Sequence, residues 1–174
     1  MTLNDETKEQ FTGLILLTGV DRPGISAALF ECLAPFAVSI IDVEQIVISN
    51  RLILTVLIAL NPSHQKAIET DLEQCAVNND VDIATLFENR QLIPVKAGLV
   101  DVVVSAPKMH PTTLALVCRS LKDLGVNIEN ISRSDSTQTT ILLTVSNSTY
   151  ANVKEALSAL SFEDGSVIMI KDHS

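Results

Sequence analysis

The run Gly13-Leu-Ile-Leu-Leu-Thr-Gly19 is followed at once by Asp21-Arg-Pro-Gly24 and then by Ile25, Leu29, Cys32, Leu33 and Phe36. The first segment is a continuous apolar strand, Pro and Gly make a turn, and the apolar residues beyond them recur at helical spacing. Pro23 is read as the first helical residue, where its missing N–H leaves nothing unsatisfied. Further on, Ser39 to Ile48, the polar break Ser49-Asn50-Arg51 and the run Leu52 to Leu60 read as two strands of a hairpin. Asn61-Pro62-Ser63 ends the second strand and opens a helix through Ile68, Leu72 and Cys75, and a short strand near Val81 to Phe87 closes the set.

The same order then recurs. Gly98 to Val104 is a second apolar run, followed by a Pro-bounded turn and by Leu114, Val117, Cys118, Leu121 and Leu124 at helical spacing. Gly98 follows Gly13 by 85 positions, Val126-Asn127-Ile128 follows Val38-Ser39-Ile40 by 88, and Thr144-Val145 follows Thr55-Val56 by 89. Such slow drift is what small loop insertions produce in a repeat. Strands over Ile128 to Ser134 and Gln138 to Val145, a helix opened by Ser148 or Thr149 through Val153, Leu157 and Leu160, and a strand over Ser166 to Lys171 complete the second unit. Each unit is βαββαβ, so the expected fold class is α+β, two tandem ferredoxin-like domains with antiparallel sheets. Their bounds are read as 11–88 and 96–172, with Glu88 to Val95 as a short linker. A unit this small buries a modest share of its surface, so pairing is expected, within the chain or between chains.

Composition bounds the function. At 174 residues a large barrel enzyme is excluded, and 47% hydrophobic against 19% charged residues describes a globular chain. Asp and Glu outnumber Lys and Arg 21 to 12, a formal charge of −9, which repels phosphate backbones and anionic membranes. With no Trp and a single Tyr there is also little to stack on bases, so neither nucleic acid nor membrane is an expected partner. The longest apolar stretch, Leu52 to Leu60, is far short of the roughly 20 residues of a spanning helix. Cys32, Cys75 and Cys118 form no CxxC pair or Cys/His cluster and read as reduced core thiols. The polar, acidic start Met1 to Gln10 carries no export signal, and a cytoplasmic location is expected.

The chemically informative segment is the loop from Thr18 to Ile25. An exposed helix N-terminus offers free backbone N–H groups to a small anion such as a carboxylate, and Asp21 beside it can accept from an ammonium group. One loop would then read both ends of an α-amino acid. Asp before Pro-Gly is equally the pattern of an ordinary N-cap and turn, and the residues alone leave both readings open.

From Thr18 to Leu60 the sequence resembles the ACT family of regulatory domains, βαββαβ modules that typically bind amino acids. The resemblance extends over nearly the whole chain as a tandem pair. It is strongest in Thr18-Gly-Val-Asp-Arg-Pro-Gly24 and in Leu124-Gly-Val-Asn-Ile128. Val43-Glu-Gln-Ile-Val-Ile48 and the spacing of the units are similar to the N-terminal regulatory region of phosphoserine phosphatases of the actinobacterial type. The resemblance implies a pocket between two domains set side by side, with Gly19, Asp21, Arg22, Pro23 and Gly24 on one wall and Gly125, Val126, Asn127 and Ile128 on the other. L-serine or glycine is the implied ligand, and a homodimer through ACT pairing the implied assembly. Asn127 carries both amide donors and an acceptor, so it can meet either end of the ligand, or it is a turn residue entering a strand. The second unit's own loop, Ser105 to Thr112, has neither glycine nor acid, which leaves one competent site per pair of units.

No catalytic residue is expected. The phosphatases of this resemblance use a DxDx(T/V) nucleophile motif, whereas Asp80-Val-Asp82 follows polar Asn78-Asn79 and has Ala84 in the last place. His64, His110 and His173 are scattered, and no HExxH, GxSxG or phosphate-loop motif occurs, so neither cofactor nor metal is expected. The implied function is an amino-acid sensor, the regulatory part of a phosphatase without its catalytic domain. The alternatives are a stand-alone tandem-ACT regulator acting through a protein partner, similar in plan to the glycine cleavage repressor, or a pure dimerisation module.

Overall fold

The structure is a computed structural model that describes residues 9–91, 96, 98–134 and 137–173. The chain divides into two compact units between residues 92 and 93. In the first, β1 (Glu9–Val20), α1 (Ile25–Leu33), β2 (Ser39–Ile48), β3 (Arg51–Ala59), a single 3-10 turn (Pro62–His64), α2 (Gln65–Asn79) and β4 (Asp82–Gln91) follow one another. The second contains β5 (Val100–Ala106), α3 (Pro111–Asp123), β6 (Asn127–Ser134), β7 (Thr139–Ser146), α4 (Tyr150–Ser158) and β8 (Val167–Asp172). Each forms a four-stranded antiparallel sheet, β2-β3-β1-β4 and β6-β7-β5-β8.

Alternation sets which face of each sheet is covered. Ile15 and Leu17 of β1 and Leu52, Leu54, Val56 and Ile58 of β3 point into a core with Leu29 of α1 and Ile68 and Leu72 of α2, while Leu16, between Ile15 and Leu17, is 41% exposed. The second core repeats this with Val100, Val102 and Val104, Leu143 and Val145, Val117 and Leu121, and Val153 and Leu157. The βαββαβ order and antiparallel sheets expected from the sequence are present in both units.

The structure corrects several boundaries. Pro23 is not the first helical residue: Gly24, at φ 96°, is the N-cap of α1, and Pro23 precedes it. Phe36 lies outside α1, because Pro35 has no N–H to carry the ladder beyond Ala34, whose backbone is still helical and whose N–H bonds to Phe30 O at 2.9 Å. Leu124 and Leu160 likewise fall just past the ends of α3 and α4. The strand expected near Val81 to Phe87 is instead the ten-residue β4, which takes in Glu88 to Gln91 from the stretch read as linker. Its pairing with β1 runs from Thr18↔Asp82 to Glu9↔Gln91, and backbone ladder bonds hold those polar residues in a strand that their side chains do not announce. The rest of that stretch, residues 92–95, lies outside the described residues.

Of the two candidates for opening α4, Thr149 is the N-cap, its hydroxyl accepting from the Asn152 N–H at 3.3 Å. Thr149→Ala is expected to cost about 1 kcal/mol. Ser148→Ala should leave the urea midpoint of unfolding unchanged.

Candidate functional site

The loop after β1 is held from two sides. The Asp21 N–H donates to the Asn50 carbonyl at 2.9 Å, tying the loop to the β2–β3 hairpin, whose Ser49 and Asn50 both take positive φ. The Arg22 guanidinium donates to the carbonyl of Asn79, the last residue of α2, where a helix C-terminus favours positive charge. Arg22 is therefore engaged in anchoring the loop. Gly19 is buried and carries no positive φ, and a Cβ on it would stand 2.6 Å from Val81 Cγ1, so packing against Val81 demands the missing side chain. Gly24 has open space around its Cα and is required by its left-handed backbone.

What these anchors present is the N-terminus of α1. No side chain caps it and its first turn holds no acidic residue, so backbone donors there are left to solvent. Asp21 is exposed, and among the described residues its carboxylate has no hydrogen-bond or ion-pair partner. Pro23 and Gly24 are exposed beside it, and Ser26 of the first turn donates to the Gln45 side chain of β2 at 2.6 Å. Gly19 and Val20 also border a cleft of about 520 Å³ with Arg51, Ala76, Val77 and Asp80.

The corresponding end of the second unit is closed. His110 caps α3, its Nδ1 accepting from the Thr112 N–H at 3.2 Å. Asp164 accepts the Thr113 hydroxyl at 2.8 Å, so an internal carboxylate already stands at the first turn of α3. Ser166, through its hydroxyl and its N–H, and Thr113 hold that carboxyl below the usual acid range. The sequence signalled a departure at Ser105 to Thr112 by its missing glycine, but the capping role of His110 needed the backbone.

Gly125, Val126, Asn127 and Ile128 lie where α3 passes into β6. The Gly125 N–H bonds to Lys122 O at 2.9 Å and the Val126 N–H to Leu121 O at 3.0 Å, with Gly125 at φ 74°. This is a Schellman stop, with the buried Val126 returning the chain to the core over Leu121. Gly125 and Val126 thus terminate a helix, Ile128 packs on the core, and the exposed group is Asn127.

Asn127 belongs to a network that sequence reading missed. Its Nδ2 donates to Glu129 Oε1 at 2.6 Å, Lys96 Nζ reaches both Glu129 oxygens at 2.7 and 2.8 Å, and the buried Ser146 hydroxyl donates to Oε1 as well. A carboxylate only accepts, so the Asn127 amide must turn its NH₂ inward and leave its carbonyl oxygen outward. Lys96 first, then Ser146 and Asn127, lower the Glu129 pKa from 4.5 to about 2. Glu129 stands at the register shift between Ile128 and Asn130, a bulge that aims its side chain along the strand toward Asn127. β2 has the same shift at Ile41, 88 positions earlier. A depressed carboxylate pKa stabilises the fold fully above about 4.5, and that contribution is lost as pH falls through about 2. Acid unfolding of the parent should therefore steepen across this window, and Glu129→Gln should flatten it.

The remaining motifs have structural roles. Asp80 is the left-handed C-cap of α2 and Asp82 opens β4. The Cys32 thiol is raised to about 11 by burial and by Cys75 and Asp71 nearby, which keeps it protonated and unreactive. His173 Nδ1 meets Asp101 Oδ1 at 2.8 Å at the end of β8. Among the described residues no cluster of three or more His, Cys, Asp or Glu could hold a metal ion, and no helix is long and apolar enough to cross a membrane.

A model of the ACT domain family matches residues 12–85. Phosphoserine phosphatase SerB2 of Mycobacterium tuberculosis is 33% identical over 122 residues, covering 68% of this chain and 29% of its own length. A phosphoserine phosphatase of Streptomyces coelicolor is 29% identical over 136 residues, covering 74% and 32% respectively. The chain thus matches about a third of the length of these curated relatives. Among solved structures, one assigned to a glycine cleavage system transcriptional repressor superposes with a TM-score of 0.74 at 17% identity, covering 94% of this chain and 99% of its own. A protein of unknown function from Galdieria sulphuraria gives 0.73 at 20% identity, covering 96% and 100%. The first unit belongs to the ACT domain family, and the second repeats the same βαββαβ fold.

Proposed function

We propose that the chain is an amino-acid-binding regulatory module and that the loop from Gly19 to Gly24 is its recognition element. The observation that carries this reading is the uncapped N-terminus of α1 beside the Asp21 carboxylate, which has no hydrogen-bond or ion-pair partner among the described residues. Backbone N–H groups at the helix start receive the ligand carboxylate, and Asp21 accepts from the ammonium. Asn127, with its carbonyl oxygen turned outward, is a second acceptor. The capped start of α3, with Asp164 already beside it, supports a single site of this kind in the chain. L-serine and glycine are the first candidates, by the kinship to phosphoserine phosphatases and the fold likeness to a glycine cleavage repressor.

The reading includes pairing. β2 is an edge strand exposed along all ten residues, among them Val43, Ile46 and Ile48, and such an edge offers both ladder groups and apolar surface to a second copy. The output is transmitted to a phosphatase domain or to another protein partner, and catalysis lies outside this chain. Calorimetric titration with L-serine and glycine tests the site: heat of binding in the parent should vanish in Asp21→Ala and fall in Asn127→Ala. Unchanged binding in both variants would move the site elsewhere.

A further inference from the structure

The thiols of Cys32 and Cys75 lie side by side where α1 packs against α2. Both line one groove of about 330 Å³, together with Ala28, Glu31, Asp71 and Asn79. Cys75 Sγ donates to the Ala28 carbonyl at 3.8 Å, about one helical turn before Cys32, and the Cys32 thiol donates to Cys75 in turn. Asn79 Nδ2 donates to Cys75 Sγ as well, at 3.6 Å. The fold does not ask for this pair. The offset of 88 that lays Leu29 and Leu33 on Val117 and Leu121 puts Ser120 in the place of Cys32. The offset of 85 that lays Ile68 and Leu72 on Val153 and Leu157 puts Leu160 in the place of Cys75. The second unit thus builds its two helices with no thiol at either place.

We propose that Cys32 and Cys75 are a redox pair, which a peroxide converts into a disulfide that clamps α1 to α2. Cys75 is the attacking sulfur: burial raises its thiol, and the hydrogen bonds from Cys32 and Asn79 draw it back toward the thiolate. Cys32, pushed up to about 11 by burial first, is inert toward reagents in solution and keeps its proton for the second step. The Cys75 sulfur attacks one peroxide oxygen, the O–O bond breaks, and the thiol proton leaves with the departing oxygen as water, giving a sulfenic acid. The Cys32 sulfur then displaces that hydroxyl. The S–S bond forms as the S–O bond breaks, and the Cys32 proton leaves with the hydroxyl as a second water. Two thiols are oxidised and one peroxide is reduced, with no further reactant. Contact between the two sulfurs makes the second step unimolecular, which offsets the weak acidity of Cys32. The link joins residues 43 positions apart and fixes α1 to the last turn of α2, where Arg22 anchors the loop after β1. It holds whether or not that loop reads an amino acid.

The test is incubation of the full chain with hydrogen peroxide, followed by non-reducing peptide mapping and thermal unfolding. The parent should lose two hydrogens, yield a peptide pair joined through Cys32 and Cys75 of one chain, and rise in midpoint by at least about 5 °C, all reversed by dithiothreitol. Cys118→Ser should behave as the parent does. Cys32→Ser should stop at the Cys75 sulfenic acid, trapped by dimedone, and Cys75→Ser should give neither link nor rise. Parent thiols that stay free under peroxide, or that link to Cys118 or to a second copy instead, would overturn the redox pair. A link that forms without raising the midpoint would overturn the clamp.

Discussion

Saturating L-serine or glycine is expected to raise the midpoint of thermal unfolding by at least about 5 °C, and Asp21→Ala to abolish the shift. Ligand at a hundredfold excess over its dissociation constant adds about 2.7 kcal/mol to the native state. For a chain of this length 1 kcal/mol moves the midpoint by about 2–4 °C, and by more if one unit unfolds separately. Asp21 is exposed and its side chain makes no hydrogen bond or ion pair among the described residues, so its removal should leave the unliganded stability within about 0.5 kcal/mol of the parent. A selective loss of the ligand response, with the baseline intact, separates recognition from folding. A midpoint that no amino acid moves would leave a pairing module and turn attention to the exposed face of β2.

The second large effect concerns Gly19. Gly19→Ala should destabilise the first unit by about 1–3 kcal/mol, because the new Cβ would stand 2.6 Å from Val81 Cγ1 and 3.2 Å from Val81 Cβ, on a β-branched side chain with little freedom to turn away. Val81→Ala should restore most of that loss, and the double-mutant cycle in urea should report a coupling of opposite sign to the single costs. Gly24→Ala provides the contrast. Its cost, about 1–2 kcal/mol, arises from φ 96° on a residue with a side chain, with nothing nearby to trim. Failure of Val81→Ala to rescue Gly19→Ala would mean that the backbone, and not the packing, demands glycine at the end of β1.

These two glycines show how far the sequence carries. Thr18-Gly-Val-Asp-Arg-Pro-Gly24 announces a turn between strand and helix, and both glycines look alike there. The structure separates them: one yields its side chain to a valine more than sixty residues on, the other to a dihedral angle. Arg22 illustrates the same limit, since nothing local tells that its guanidinium reaches the end of α2. His110 stands in the sequence as one of three scattered histidines, yet it caps a helix, because only the backbone of Thr112 defines it as a cap.

Glu129 was hidden for a further reason. Alternation along a strand places residues on faces by parity, and a bulge resets parity without any mark in composition. Lys96 lies thirty-three positions before Glu129 and fell in no motif. Asn127, visible from its repeat position, carried two possible polarities until the carboxylate beside it fixed which end faces outward.

By itself the sequence determined the fold and the repeat, and it marked the loop from Gly19 to Gly24 as the segment to propose for recognition. Period 2 and period 3.6 patterns are local, and burial of one face per element suffices to assemble βαββαβ twice. Only the tertiary structure decided where strands end, why each glycine is a glycine, and which polar groups are left open or already satisfied. Those outcomes depend on ladder register and on partners distant in the chain, and one residue of register moves every side chain to the opposite face.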